Sequence, residues 1–312
     1  KEARKKEEFE AVTMDFQKNL PTPNITTSDV YYRRQLNFIS FNFHVLSDST
    51  SLFYTYDETV AKKGADDVCS MLEHFFYNVL SLNVRHLVLF CDSCAGQNKN
   101  YTVIRFLHHT VVDKDRFDSA KVVFPIRGHS YMEGDKDMSI VNSKSYTETP
   151  DDWRDVLRNS RVKPSPFTVI NCGTEVNFQT WTEYFSDKYV KKCPIRTRPI
   201  RVLKIDKNEP RFMLHKSSYF GSYLKAVLVP PVKKKQKSRD PNQNNSPKVL
   251  RKLYNGPVPI KAAKVKDLLH LKQFLTHQES KAFYEALVPD SEGLEEASDG
   301  EFADDALIDE SQ

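Results

Sequence analysis

The sequence predicts an α/β protein built on a mixed sheet, and three observations carry that expectation. Leu36–Leu46 (LNFISFNFHVL) and Ser51–Tyr56 are dense in aromatic and β-branched residues, and the turn chemistry of Ser47-Asp48-Ser49-Thr50 between them makes a hairpin. Val84–Cys91 (VRHLVLFC) is a nearly unbroken apolar run, as a central strand covered on both faces requires. Between these stretches Val68, Met71, Leu72, Phe75, Phe76, Val79 and Leu80 recur at three and four residue spacing, the mark of an amphipathic helix.

The elements follow in order. Lys1–Glu8 is a charged stretch that reads as the end of a helix, so a preceding N-terminal part is expected. Phe9–Phe16 is a short strand with Asp15 at its end, and Pro21-Thr22-Pro23-Asn24 breaks the chain. After the hairpin come a helix over Ala65–Leu82, the buried strand ending at Asp92, and a helix over Gln97–Val112. A fifth strand over Lys121–Ile126 follows, then Gly128–Ser145, which starts as a loop and continues as a third helix. Three strands, helix, strand, helix, strand, helix is the order of a ribonuclease H-like fold: an antiparallel triplet extended by parallel strands through crossover helices.

Residues 1–148 are therefore expected to form that core. Residues 149–230 read as an accessory α+β region, with helices near Asp151–Asn159 and Phe178–Tyr189. Its strands are expected near Phe167–Asn171, Ile200–Ile205, Arg211–Leu214 and Ala226–Val229. A basic, flexible linker over 231–249, a C-terminal helical segment over 250–289 (amphipathic from Lys264 to Leu287) and an acidic, unstructured tail over 290–312 complete the chain.

Charge is segregated along the chain. The net +4 hides ten acids from Asp290 onward with no Lys or Arg among them, which leaves residues 1–289 with 46 basic against 32 acidic side chains, a net +14. A basic body suits a polyanionic partner. Five scattered cysteines with no secretory leader argue against a disulfide framework and for a reducing compartment. No stretch approaches the roughly 18 apolar residues of a membrane span, so no membrane partner is expected; the sequence leaves open an assembly of identical copies.

Metal-assisted phosphodiester cleavage needs clustered carboxylates, because hard Mg²⁺ or Mn²⁺ takes oxygen ligands, and two ions about 4 Å apart clamp the attacking and leaving oxygens. In the inferred fold the end of the first strand lies beside the fourth, and the last helix packs across both. Asp15, Asp92 and Asp135 occupy those three places. Singly each has a bland reading, as a turn residue, a helix cap and a first-turn acid; their joint placement favours catalysis. Asp137 competes with Asp135, but with Tyr131, Met132, Met138 and Val141 marking the buried side of the helix, Asp135 is expected to project nearer to it.

At this point the residues resemble a family. Asp92-Ser93-Cys94-Ala95-Gly96-Gln97-Asn98-Lys99-Asn100, and Gly128-His129-Ser130 followed by Asp135, are similar to paired motifs of transposable-element-derived animal proteins with a ribonuclease H-like transposase core. The resemblance extends through Leu20-Pro21-Thr22-Pro23, Tyr31–Leu36 and Tyr56-Asp57-Glu58. It implies a catalytic aspartate at Asp92, a second in the strand before Leu20-Pro21 and a third in the helix after Gly128-His129-Ser130. Many transposases of this fold carry Glu as the third acid, so Asp135 is a departure.

Other residues keep two readings. His129 either shuttles a proton or contacts the scissile phosphate, or it is a hydrogen-bonding residue of a turn. Gln97, Asn98, Lys99 and Asn100 start a helix whose N–H groups either receive a phosphate or merely complete a turn. Lys233, Lys234 and Lys235 are a nuclear-localisation or DNA-phosphate patch, or a solvated linker. Cys91-x-x-Cys94 has zinc spacing, but no second pair follows, and Cys91 reads as the buried end of a strand. Asn24-Ile25-Thr26 and Asn100-Tyr101-Thr102 match glycosylation acceptors without a secretory context.

Three functions compete: a nuclear transposase-type nuclease that cleaves DNA with two Mg²⁺ or Mn²⁺ ions, with or without joining of the 3′ ends, its DNA-recognition module expected outside this chain; a domesticated relic that binds nucleic acid or protein without cleaving; and a structural reading in which the acids are caps and the acidic tail is the functional end. The charge segregation generates one test. Tethering holds a weakly binding tail at about millimolar effective concentration over the basic body. Deleting Asp290–Gln312 is therefore expected to tighten DNA binding most at low salt, with the gain shrinking toward physiological ionic strength, where the Debye length is about 8 Å; equal affinities at every salt concentration would refute it.

Overall fold

The computed structural model describes residues 2–126, 132–141, 143–231 and 249–290. Its strands are β1 (Phe9–Phe16), β2 (Leu20–Thr22), β3 (Leu36–Val45), β4 (Ser51–Asp57), β5 (His86–Cys91), β6 (Ser119–Val123), β7 (Thr168–Asn171), β8 (Val202–Asp206), β9 (Phe212–Lys216) and β10 (Leu224–Val227). The helices are α1 (Ala65–Asn78), α2 (Tyr101–His108, prolonged by one wider turn over His109–Asp113), α3 (Glu133–Ile140), α4 (Pro150–Asn159), the single turns α5 (Cys172–Glu175) and α6 (Trp181–Tyr184), α7 (Ala262–Leu271) and α8 (Gln278–Glu285).

All ten strands share one mixed sheet in the order β10-β9-β8-β6-β5-β1-β3-β4-β7, with β2 also on β3. β3 is antiparallel to β1 and β4 antiparallel to β3, whereas β5 runs parallel to β1 and β6 parallel to β5. The expected break at Pro21–Asn24 is therefore partly strand: β2 prolongs the line of β1 along β3. The strands expected within residues 149–230 join this same sheet: β7 lies parallel to β4 and β8 antiparallel to β6, so they extend it at both ends. Both β4 and β6 would otherwise present a row of unpaired backbone groups, and these additions cover them. Of the expected helix Phe178–Tyr189 only Trp181–Tyr184 is helical; its aromatics fold inward instead, Trp181 and Phe185 stacking at 5.6 Å.

The two faces of the sheet differ in chemistry, and β3 shows why. Alternation sends Ile39, Phe41, Phe43 and Val45 to one face and Ser40, Asn42 and His44 to the other. The first face meets α1: Phe43 stacks on Phe75 at 4.3 Å and abuts Phe41 and Tyr54, all four rings buried. The second face receives α3 and α4 on a polar, hydrogen-bonded surface with a smaller apolar cluster of Phe38, Phe53, Trp153 and Phe167 at its end. Every residue of β4 is buried because both faces are covered. Ile25, Leu36, Leu268 and Tyr284 form a third cluster that fixes α7 and α8 to the start of β3.

Among the described residues no helix is long and apolar enough to cross a membrane. Residues 232–248 of the expected linker and 291–312 of the expected tail lie outside the described residues, as do His129 and Lys233, Lys234 and Lys235.

Phe43 sits where sheet and α1 meet. Phe43→Ala is expected to lower the unfolding free energy by about 3–5 kcal/mol, read from the urea midpoint at unchanged slope; a loss below about 1 kcal/mol would show that the ring stack is not central.

Candidate active site

β1 and β5 are parallel neighbours in the register Met14↔Cys91. The residues that follow these, Asp15 still within β1 and Asp92 just past β5, therefore stand at the same end of the sheet. Thr13 and Asp15 share the polar face, and in register with Asp15 on β3 stands Asn42. α3 lies on this face and brings Asp135.

A glycine makes that approach possible. A Cβ on Gly134 would lie 2.8 Å from Asn42 Oδ1 and 3.3 Å from Thr13 Oγ1, so the helix rests backbone-first on the sheet. The Gly134 N–H donates to Thr13 Oγ1 at 3.3 Å, and the Gln17 amide donates to the Met138 carbonyl at 3.3 Å. Asp137 is the anchor: it is buried, with one carboxylate oxygen 2.6 Å from His44 Nδ1 and the other 3.0 Å from the Arg161 guanidinium. Burial alone would raise its carboxyl, but the hydrogen bonds from His44 and Ser51 and the charges of His44 and Arg161 hold it below the usual carboxylate range.

This corrects the expectation for the two acids of α3. Gly134 and Asp137, not Asp135, face the sheet most deeply, because the polar face offers Asp137 two charged partners. Asp135 is half-buried, and its Oδ2 accepts from the Met132 N–H at 2.8 Å, capping its own helix.

Asp15 feels the other two expected acids. Burial raises the Asp15 carboxyl; the negative charge of Asp92 raises it further, as does that of Asp135 to a smaller extent. The Phe16 N–H, donating to Asp15 Oδ1 at 2.7 Å, and the Lys63 ammonium oppose the rise, and the balance pushes it up to about 7. Asp92 Oδ1 accepts from Asn98 Nδ2 at 2.7 Å. Each carboxylate is thus turned to a protein donor, and among the described residues no three His, Cys, Asp or Glu side chains stand close enough to enclose a metal ion. The two findings agree in physical terms, since Coulomb repulsion reaches well beyond the roughly 2.0–2.6 Å of coordination to Mg²⁺ or Ca²⁺. The donor chemistry fits a hard divalent cation: carboxylate oxygens, and beside them in sequence Ser93 Oγ and Asn98 Oδ1, buried and without a hydrogen-bond partner among the described residues.

The segment after Asp92 is a turn, with the helix starting at Tyr101 rather than at Gln97. Asn100 is its cap, accepting from the Val103 N–H at 3.0 Å, so that amide is already engaged. Lys99 is buried, donating to the carbonyls of Arg198 at 3.0 Å and Ile200 at 2.7 Å over the Phe124 ring. Burial, then the charge of Arg201, lowers its ammonium to about 8. Asn98 is buried as well, leaving Gln97 and Asn100 half-buried. Cys91 is wholly buried, its thiol pushed up by burial and then by Asp92.

One neighbour was not visible as a site residue: Lys63, in the left-handed region (φ 66°) just before α1. Its Nζ lies 4.6 Å from the Phe16 ring centroid and donates to Asn19 Oδ1 at 3.0 Å. Burial lowers its ammonium against the opposing charges of Asp15, Cys94 and Asp92. Nothing local in the sequence marks it; the pairing of β1 with its neighbours brings it there.

A model for a domain of unknown function (DUF7869) matches residues 43–196, just under half of the chain. That span includes Asp92 and Asp135 and begins after Asp15. No characterised protein and no solved structure matches the chain.

Asp15 generates a test. Its folded pKa is raised above the unfolded 3.8 to about 7. The folded state therefore keeps a proton that the unfolded state releases, and stability falls as pH rises from about 4 to 7. In EDTA, Asp15→Asn is expected to be more stable than wild type at pH 8, by on the order of 2–4 kcal/mol, with no gain at pH 4; urea titrations at both pH values check it, and a pH-independent difference would refute it.

Proposed function

We propose that the chain is a metal-dependent nuclease of the transposase kind, with a ribonuclease H-like core that cleaves phosphodiesters of DNA. The observation that carries this reading is geometric: the register Met14↔Cys91 sets Asp15 and Asp92 at the same end of neighbouring parallel strands, and α3, which bears Asp135, packs on β1 and β3. The strand order β4-β3-β1-β5-β6, with β3 antiparallel and β5 and β6 parallel to the central β1, supports the fold reading.

In this proposal Asp15, Asp92 and Asp135 hold Mg²⁺ or Mn²⁺, which when bound supplies a Lewis acid and an activated water for in-line displacement at phosphorus. The residues of the chain do the placing. Asn98 orients the Asp92 carboxylate by its 2.7 Å hydrogen bond. The Gly134 contact with Thr13, together with the Asp137 anchor, fixes α3 against β1 and so sets where Asp135 stands. Lys63 puts a positive charge beside Asp15 and Asp92, where an anionic substrate gains from it. A second reading, a nucleic-acid-binding protein without catalysis, is favoured by one observation: the Asp135 carboxylate is occupied in capping its own helix.

The deciding experiment is cleavage of a labelled DNA duplex and a single strand by the purified chain in Mn²⁺ and in Mg²⁺. Wild type is expected to cut, and Asp92→Asn and Asp15→Asn each to lose at least about 10²-fold in rate. Retention of full activity in Asp92→Asn refutes the assignment, and binding without cleavage in either metal supports the second reading.

A further inference from the structure

A cleft of about 520 Å³ opens beside the acid cluster, between the loop that leads from β4 into α1 and the segment that enters α7. At about 30 Å³ per water molecule this is room for a phosphate with its sugar. Four lysines line it, Lys62, Lys63, Lys261 and Lys264, against one carboxylate, Glu58. Glu58 is committed to Lys264, whose Nζ donates to its two oxygens at 3.0 and 2.9 Å, and to the Asn37 side chain at 2.7 Å.

The cleft is built rather than incidental. The Val258 N–H donates to the Thr59 carbonyl at 2.7 Å, tying the entering segment to the loop. Tyr254 Oη accepts from the Lys62 N–H at 3.0 Å and donates to Asp67 Oδ1 at 3.0 Å, tying the same loop to the first turn of α1. The C-terminal segment, which the match to the domain of unknown function does not reach, thus forms one wall.

Lys63 joins this cleft to the acid cluster, since it lines the one and interacts with Asp15 and Asp92 of the other. The lysine end suits an anionic group by itself, whereas the carboxylate end would accept one only once a divalent cation sits on it. Together, and with that cation bound, the two ends would fit a ligand whose anionic groups repeat along a chain, one phosphate among the lysines and its neighbour on the cation.

We infer that the cleft lined by Lys62, Lys63, Lys261 and Lys264 is a binding site for the phosphodiester backbone of a DNA strand, holding the phosphate next to the one presented to Asp15, Asp92 and Asp135. The inference rests on the nuclease reading for what lies at the carboxylate end, while binding to the cleft itself needs no divalent cation.

The test separates the two. Affinity of the full chain for a fluorescently labelled single-stranded DNA oligonucleotide is measured by anisotropy in EDTA across a salt series. The proteins are wild type, the double variant Lys62→Gln/Lys261→Gln, and the control Lys5→Gln/Lys6→Gln at the opposite end of β1 from Asp15. The cleft variant is expected to bind at least about fivefold more weakly, with a log K against log salt slope smaller by about 1.4, the value for two lost contacts to a single strand. The control is expected to stay within about twofold of wild type, and thermal melts establish that all three are folded. A cleft variant indistinguishable from wild type or from the control overturns the inference, as does a wild type that does not bind. Loss of binding in the cleft variant with no cleavage by wild type in Mn²⁺ sustains the cleft and overturns the nuclease reading instead.

Discussion

The contact on which the rest of the site depends is the buried carboxylate of Asp137 between His44 and Arg161. It is the only charge that α3 sends into the sheet among the described residues, and it is met by a strand residue from one side and a residue after α4 from the other. Arg161 spreads its remaining hydrogen bonds to the carbonyls of Ser165 and Ser49, which ties the β3–β4 turn and the approach to β7 into the same network. Removing one partner of such a buried pair leaves an uncompensated charge and costs roughly 3–5 kcal/mol. Hydrophobic burial could not fix α3 so specifically, since the face it covers is Thr13, Ser40, Asn42 and His44, and such a surface is satisfied only in one register.

The division of labour between the two faces follows from the alternating pattern of β3. Its aromatic face is generic: Phe43 against Phe75 and Tyr54 supplies area and ring contacts that any well-packed helix could use. Its polar face is particular, because each buried polar group needs a named partner. Stability therefore concentrates on the α1 side and positioning on the α3 side. Asp15 stands half-buried on the positioning side, and its partial burial, together with the charge of Asp92, holds its carboxyl up near neutrality.

Much of the core was legible because strands and long amphipathic helices leave periodic traces. β1, β3, β4 and α1 stand where alternation and three and four residue spacing put them, with α1 ending a turn early at Asn78. The start of α2 was not, because Asn98 and Asn100 are turn and cap residues whose side chains compete for the backbone, and the helix begins only after the second of them. Lys99 reads as a phosphate ligand in sequence and is a buried strut in space; a lysine can snorkel to carbonyls 99 and 101 residues away, which no local pattern discloses. The face of α3 was misassigned for a related reason. Periodicity counts apolar residues, and here the buried side is a glycine and an aspartate.

What remains is why Asp15 is raised while another acid on the same face is held down. Asp137 shows that this chain neutralises a buried acid when neutrality serves the fold, with two cationic or donor groups at 2.6 and 3.0 Å. Around Asp15, among the described residues, it supplies a backbone donor, the Phe16 N–H, and one ammonium, Lys63, that is itself engaged with Asn19 and Phe16. The contrast between two carboxylates on the same face, one held down by two partners and one raised first by its burial and then by the charge of Asp92, follows from where the cations stand: His44 and Arg161 bond directly to Asp137, while Lys63 gives its hydrogen bond to Asn19.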